Sequence, residues 1–271
     1  MDLSRISLNS ITVRSLTLCE LIDACASRGI TAVAPWRDLL LEPGVDQAAR
    51  WLADAGMAVS SLCRGGMFTS MEERERRLAV EDNMRAIEEA ATLGAGSLIL
   101  VCGPVVGKDV AGSYSMVRDG IGSVLEMASQ MGVTLAIEPL HPMMAADRSV
   151  IARVDDAVRL IAELGDHPRL GIAVDAYHVW WDLGLQDALI RGAGRISALH
   201  VSDWVTPLTG GLTSGRGMMG DGVIDLPSLA ADVSRAGYSG PVEVEILSDH
   251  WWAQPVDAVL DTVVQRFQTH V

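Results

Sequence analysis

Lysine is almost missing from this chain. Of its 271 residues 21 are basic, and Lys108 is the one lysine among them. Imine chemistry needs a lysine amine desolvated in a pocket, whereas Lys108 sits in the loop-like run GPVVGKDV. A Schiff-base enzyme is therefore not expected. Positive charge is scarce overall: 35 acidic residues leave a formal net charge of −14. Such a chain is not attracted to a nucleic-acid backbone or an anionic membrane surface, and neither is expected as a partner. Paired cysteine spacing is missing too. Cys19, Cys25, Cys63 and Cys102 form no C-x-x-C, so they read as free thiols of a reducing compartment, mostly small core residues. No apolar stretch spans a membrane, and the segment MDLSRISLNS lacks an apolar signal core. The cytoplasm is the expected location.

What is present is alternation. Short apolar runs occupy 6–12, 30–36, 58–63, 97–102, 133–139, 170–177, 196–203 and 241–247. Each is too short for a helix, and several are rich in Val and Ile, as strands are. Helical patterns lie between them. Thr17 with Glu20, and Ser70 with Glu73, have the spacing of capping boxes. The charged stretch 71–93 has a helical period and stops at Gly94. A helix, a glycine and a strand recur in ATLGAGSLIL, ASQMGVTLAI and VSRAGYSGPVEV; the glycine supplies the left-handed cap that turns the chain into the next strand. Eight such units predict an α/β fold, a (β/α)8 TIM barrel forming a single domain over 1–271. A doubly wound open sheet is the competing layout. Its dinucleotide-binding form needs a G-x-G-x-x-G turn after an early strand, and the first run is followed by VRSLT instead. The longest irregular stretch, 204–225, follows the seventh strand, on the face where barrel enzymes hold their chemistry.

Strand ends are therefore the place to look. In LAIEPLHP an apolar run ends on Glu138, with Pro139 and His141 behind it. The sixth strand carries Asp175, with His178 three residues later, and the seventh carries His200, with Asp203 three residues later. The eighth carries Glu243 and Glu245, which share a face because side chains alternate along a strand. Glu245, nearer the carboxyl end, is the ligand candidate, and Glu243 is a partner beneath it. Glu138, Asp175, His200 and Glu245 thus aim at one region. Three carboxylates there repel unless a cation or protons compensate them. One divalent metal ion is the simplest compensation, and mixed oxygen and imidazole donors suit Mn2+ first, then Mg2+, Co2+ or Zn2+.

The segments AIEPLHP, GIAVDAYHVWWD, ALHVSDW, GDGVIDLPSL and PVEVEIL resemble the xylose-isomerase-like TIM-barrel superfamily of sugar phosphate isomerases and epimerases, which includes the AP endonuclease family 2 type. The resemblance covers almost the whole chain. It implies one divalent metal held by Glu138, Asp175, His200 and Glu245, with Glu138 and Glu245 also the catalytic acid/base pair. It further implies that His178 and Arg216 face the substrate. Read alone, His178 equally suits a partner orienting Asp175, and Arg216 a solvated loop arginine. The nuclease branch binds three zinc ions through more histidines; His167, His250 and His270 fall outside the strand ends, so that site is not expected here.

The implied reaction is a metal-dependent isomerisation or epimerisation of a sugar, sugar phosphate or keto-polyol. It proceeds by α-proton abstraction through a metal-stabilised enediolate. A lyase or dehydratase acting on a keto-sugar or keto-glycoside would share that first step. A non-catalytic sugar-binding barrel ranks below both, since it predicts lost ligands. His141, Trp36, Trp180 and Trp204 follow strands and are candidates for the substrate mouth, with a loop hydrogen bond as the alternative for His141 and packing under loops for each tryptophan. Arg64 is a weaker anion-site candidate. Trp251 and Trp252, just after the eighth strand, suit a subunit contact, which leaves room for a homo-oligomer.

Overall fold

The structure is a computed structural model that describes residues 1–208 and 210–271. Its strands are β1 (Ile6–Asn9), β2 (Ala32–Ala34), β3 (Ala58–Val59), β4 (Leu62–Gly66), β5 (Leu98–Val101), β6 (Leu135–Ile137), β7 (Leu170–Asp175), β8 (Ile196–Val201), β9 (Asp203–Trp204), β10 (Arg216–Gly217) and β11 (Val242–Val244). Its helices are α1 (Leu18–Ala26), α2 (Val45–Asp54), α3 (Glu73–Leu93), α4 (Val110–Met131), α5 (Val154–Glu163), α6 (Ala176–Val179), α7 (Leu185–Arg191), α8 (Gly211–Ser214), α9 (Leu226–Arg235), α10 (Asp249–Trp252) and α11 (Val256–His270).

The large sheet runs β3–β2–β1–β11–β8–β7–β6–β5–β4. Every pair in it is parallel. The third apolar run supplies both ends of that order. Ala58–Val59 pairs with β2, Leu62–Gly66 pairs with β5, and a bridge from Trp36 to Cys63 closes the ring. The fold is therefore the expected (β/α)8 barrel, with its third stave divided. The division is visible in the backbone: Ser60 N–H donates to Val33 on one side, and Leu62 N–H to Ser97 on the other.

The helices that wrap the barrel follow their sequence signals closely. Thr17 and Glu20 form the capping box at the start of α1. The second expected box does not form. Helix α3 begins at Glu73, and Ser70 Oγ instead accepts from the Glu72 N–H at 3.1 Å, within a preceding turn. Gly94 and Gly132 end α3 and α4 at φ 64° and 74°, the left-handed geometry that glycine adopts without steric cost. Lys108 is exposed in the turn before α4, consistent with no imine role. Cys25, Cys63 and Cys102 are buried and Cys19 is exposed, all four as free thiols. Among the described residues no helix is long and apolar enough to cross a membrane.

The barrel lumen has two characters. Ile99, Ala136, Ala173 and Ala198, one from each of β5 to β8, form a small apolar cluster. Ser7, Ser60, Ser61 and Glu243 are polar groups on the other side, joined by hydrogen bonds. Above them the long stretch after β8 is organised. Strands β9 and β10 pair antiparallel, Trp204 with Arg216 and Asp203 with Gly217. The buried Asp203 carboxylate accepts backbone N–H bonds from Trp204, Gly220 and Ile224 at 2.8–3.0 Å. The loop is thus pinned at its base, and Arg216 is carried back over the barrel.

One buried side chain fixes the third stave beside the mouth. Asn83, on α3, accepts from Gly66 N–H at 2.7 Å and donates to Gly66 O at 2.8 Å. Gly66 has φ 103°, and a Cβ there would overlap the Val101 carbonyl, so the strand end depends on glycine and on its amide partner. Asn83→Ala leaves two buried backbone groups unpaired. It is expected to destabilise the fold by about 1–3 kcal/mol, read as a lower denaturation midpoint at unchanged slope in urea.

Candidate metal centre and active site

Strand register brings the four sequence-identified groups together. Asp175 is level with His200, and His200 with Glu243, on three adjacent strands. Glu245 lies just beyond the end of β11, and Glu138 just beyond the end of β6. All four candidates are buried, and one donor atom from each of Glu138, Asp175, His200 and Glu245 lies within 4.8 Å of the others. His200 Nδ1 faces Glu138 Oε1 at 3.2 Å and Glu245 Oε2 at 3.7 Å, while Nε2 faces Glu243 Oε1 at 3.6 Å. Neither ring nitrogen has a hydrogen-bond partner of good geometry among the described residues. Beneath the site, Asn9 Nδ2 donates to both Glu243 (2.7 Å) and Glu245 (3.1 Å), tying the two carboxylates together.

Arg216 is the surprise of the constellation. The sequence left it between a substrate-facing residue and a solvated loop arginine. In the structure it is buried, and its Nη1 donates to Asp175 Oδ2 at 2.7 Å and Glu245 Oε2 at 3.1 Å. Its Nη2 lies 3.2 Å from His178 Nε2, and the guanidinium stacks on Tyr177. It reaches these partners because β10 pairs with β9 directly above them. The resemblance implies that Arg216 faces the substrate, and it does line the cavity; its commitment to Asp175 and Glu245 is decided by the pairing of β10 with β9.

Electrostatics follow from this crowding. Burial raises the Asp175 carboxyl, but Arg216, His178, His200 and the Tyr177 amide outweigh it, and the net shift is downward. By protein charges alone burial pushes Glu245 up to about 8; Asp175 and Glu138 add to the rise, and Arg216 and His200 oppose it. Burial lowers His200, yet Glu243, Glu245 and Glu138 carry it well above the usual histidine range. Burial takes His178 down to about 3, with Asp175 opposing and Arg216 assisting. His178 is accordingly neutral. Its Nε2 accepts from Arg216, which assigns the proton to Nδ1, and that buried nitrogen has no partner among the described residues.

A cavity of about 250 Å³ opens onto this centre. Its wall includes Trp36, Glu138, His178, Arg216 and Glu245, whereas Asp175 and His200 lie behind it. Cys63 is also on the wall; burial and the neighbouring Glu245, Glu138 and Glu243 raise its thiol well above the usual range, which leaves it no nucleophile. Trp180, Trp204 and His141 are not on that wall. Trp204 stacks on Tyr177 at 4.8 Å, with His141 at 4.8 Å and Trp180 at 5.7 Å, so their faces are spent on one another beside the cavity. His141 Nδ1 accepts the Met143 N–H at 3.3 Å, the loop hydrogen bond of its alternative reading. Of the Trp251–Trp252 pair, Trp252 is engaged within the chain, donating to Ile11 O at 2.7 Å with Arg14 over its ring.

Comparison with known proteins places this geometry in context. The sequence profile described as xylose isomerase-like TIM barrel matches residues 22–266. The chain belongs to that family. A protein of Sinorhizobium meliloti, SMc04130, has a crystal structure 42% identical to this chain, covering 99% of each, with a TM-score of 0.95. A 3-dehydroshikimate dehydratase of Pseudomonas putida is 27% identical over 88% of this chain; the match spans 37% of the length of that longer protein. The L-ribulose-5-phosphate 3-epimerase UlaE of Salmonella paratyphi C is 27% identical over 73% of this chain and 68% of its own.

For a member of this family, the fit of a divalent cation is tested by the chain's own atoms. Three acids and an imidazole converge, and both ring nitrogens of the buried His200 want a partner. A carboxyl held as high as Glu245 is relieved by positive charge beside it. Glu138, Asp175, His200 and Glu245 would hold the ion, His200 through Nδ1. Glu243 would accept from the Nε2–H and fix the tautomer. Among the described residues this is the one such cluster; His167, His250 and His270 lie elsewhere, bonded to Arg169, edge-on to Trp251 and beside Arg266 respectively. Calorimetric titration with Mn2+, Co2+ and Zn2+ is expected to give one site per chain. His200→Ala should abolish it, and Glu243→Gln should weaken it about 10–100-fold. Unchanged affinity in both variants would place the metal elsewhere.

Proposed function

We propose that this protein is a divalent-metal-dependent isomerase or epimerase of a small sugar, sugar phosphate or keto-polyol. One observation carries the reading. Of the four converging groups, only the carboxylates Glu138 and Glu245 also line the cavity, so two bases reach the substrate while the other two groups stay behind them. The cavity, about 250 Å³, is near the lower limit of small-molecule pockets, roughly 300–1,000 Å³. The similarity to an epimerase of a phosphorylated ketose supports the same reading.

A divalent cation in this centre supplies a Lewis acid that polarises a carbonyl and its neighbouring hydroxyl, which acidifies the intervening C–H. The chain does the rest. Glu138 and Glu245 stand on the fifth and eighth staves, three apart around the barrel, and so approach a bound substrate from two sides. One carboxylate takes the proton from the carbon beside the carbonyl. If the other returns a proton to the opposite face of that carbon, the centre is inverted. Return to the neighbouring carbon moves the carbonyl instead. Arg216 holds Asp175 and Glu245 in register during the exchange, and His178 lines the cavity beside it. Trp36 supplies the apolar wall against which the C–H face of a sugar packs.

A second reading shares the first step. If a substituent leaves from the next carbon after the proton is taken, the same residues make a dehydratase, and the similarity to a 3-dehydroshikimate dehydratase favours this alternative. Turnover of ketoses, their phosphates and keto-acids in deuterium oxide decides between them. Epimerisation or isomerisation is expected to place solvent deuterium in a product of unchanged composition, whereas elimination releases water. An isomerised or epimerised product that carries no solvent deuterium, formed without release of water, would overturn the proton-exchange reading. Glu138→Gln and Glu245→Gln should each lower kcat about 10²–10⁴-fold, measured together with metal content.

A further inference from the structure

Two arginines on the wall of the cavity play no part in the reaction above. We propose that Arg64 and Arg148 form an anion subsite, so that the substrate carries a carboxylate or phosphate at the end away from its reacting carbon. The inference deepens the proposed reaction and rests on it for the identity of the reacting end alone.

The charged side chains lining the cavity are Arg64, Glu138, Arg148, Arg216 and Glu245. Arg216 is committed to Asp175 and Glu245. The Arg64 guanidinium has no hydrogen-bond or ion-pair partner among the described residues, although its carbonyl is held by Arg37 Nη1 at 3.5 Å. Arg148 approaches only its neighbour Asp147, at 3.8 Å, with side chains 38% and 64% exposed, a pairing that solvent screens. Elsewhere in this acidic chain arginines reach carboxylates closely: Arg28 to Asp257 and Asp261, Arg37 to Asp82 and Glu89, Arg191 to Asp155. Some other arginines without a carboxylate partner donate to backbone carbonyls, as Arg5 does to Gly240 and Arg169 to Gly132; the Arg64 and Arg148 side chains share one cavity and neither is so engaged among the described residues.

Both are positioned by fixed backbone. Arg64 lies on β4, whose end is clamped by Asn83. Arg148 donates its N–H to Met144 O at 2.9 Å and accepts from Gly103 N–H at 3.0 Å. The same cavity wall includes the apolar group Val101, Leu140 and Met144, which lowers the local dielectric and strengthens an ion pair formed there. Neither arginine is engaged by the carboxylates of the centre: Arg216 pairs with Asp175 and Glu245, and Asn9, Ser60 and Ser61 hold Glu243. Planar guanidinium forks match carboxylate and phosphate oxygens two at a time. The anion would then bind at the Arg64 and Arg148 end of the cavity, with the reacting carbon between Glu138 and Glu245.

The test uses the metal-loaded full chain and a binding readout. Wild type, Arg64→Gln and Arg148→Gln are titrated calorimetrically with inorganic phosphate in one arm and propionate in the other, with metal content measured for each. At least one anion is expected to bind wild type, and each substitution to weaken it about tenfold or more, the loss of one charge-assisted contact, at unchanged metal content. Binding of phosphate alone assigns a phosphate ester, and of propionate alone a carboxylic acid. If neither anion binds, or if the variants bind as wild type does, the subsite is wrong. Anion binding lost in both variants of a protein that takes up no metal would keep the subsite and overturn the metal-dependent reaction instead.

Discussion

Carboxylates repel, and Glu138, Asp175 and Glu245 are buried within reach of one another at the mouth of this barrel. Isolated charges in that position are costly enough that the groups would take up protons instead. Most of what is unusual here answers that repulsion. Arg216 enters from a loop and donates to two of the three. His200 sits between Glu138, Glu245 and Glu243 with both nitrogens turned to acids. Asn9 hydrogen-bonds the two glutamates of the last strand. What remains after these compensations is the charge and geometry of a divalent cation site.

The same repulsion separates roles among chemically similar residues. Asp175, at the base of the site, is held low by Arg216, while Glu245, one stave beyond His200, is driven up. Glu243 differs again. It is screened from the cavity and satisfied by Asn9, Ser60 and Ser61, so it supports the imidazole rather than the substrate. Four acids in one small volume thus divide into two that face the cavity and two that hold the frame.

Much of this was legible in the linear chain. Eight apolar runs, their glycine punctuation and the period-2 placement of Glu243 and Glu245 led to the barrel and to the convergence of Glu138, Asp175, His200 and Glu245, because strand alternation and parallel register are local rules applied repeatedly. What was not legible depended on contacts remote in sequence. The third stave looked like one run, since the choice of hydrogen-bond partner switches at Ser60–Ser61 and neither residue signals it. Arg216 suits a substrate-facing residue and a solvated loop arginine equally in the linear chain, because its burial is decided by a two-residue hairpin with Trp204. Trp180, Trp204 and His141 looked equally suited to a substrate mouth and to packing, and stacking among themselves and on Tyr177 took their faces.

The divided stave has one more consequence. In an unbroken strand neighbouring side chains point to opposite faces, so at most one of two consecutive residues can look into a barrel. Ser60 and Ser61 are consecutive, yet both hydroxyls reach the same oxygen of Glu243, at 3.1 and 2.9 Å. Only a break in the pleat allows that. The interruption converts an ordinary wall position into a two-pronged donor, and a carboxylate deep in an otherwise closed lumen is solvated there by the protein itself in place of water.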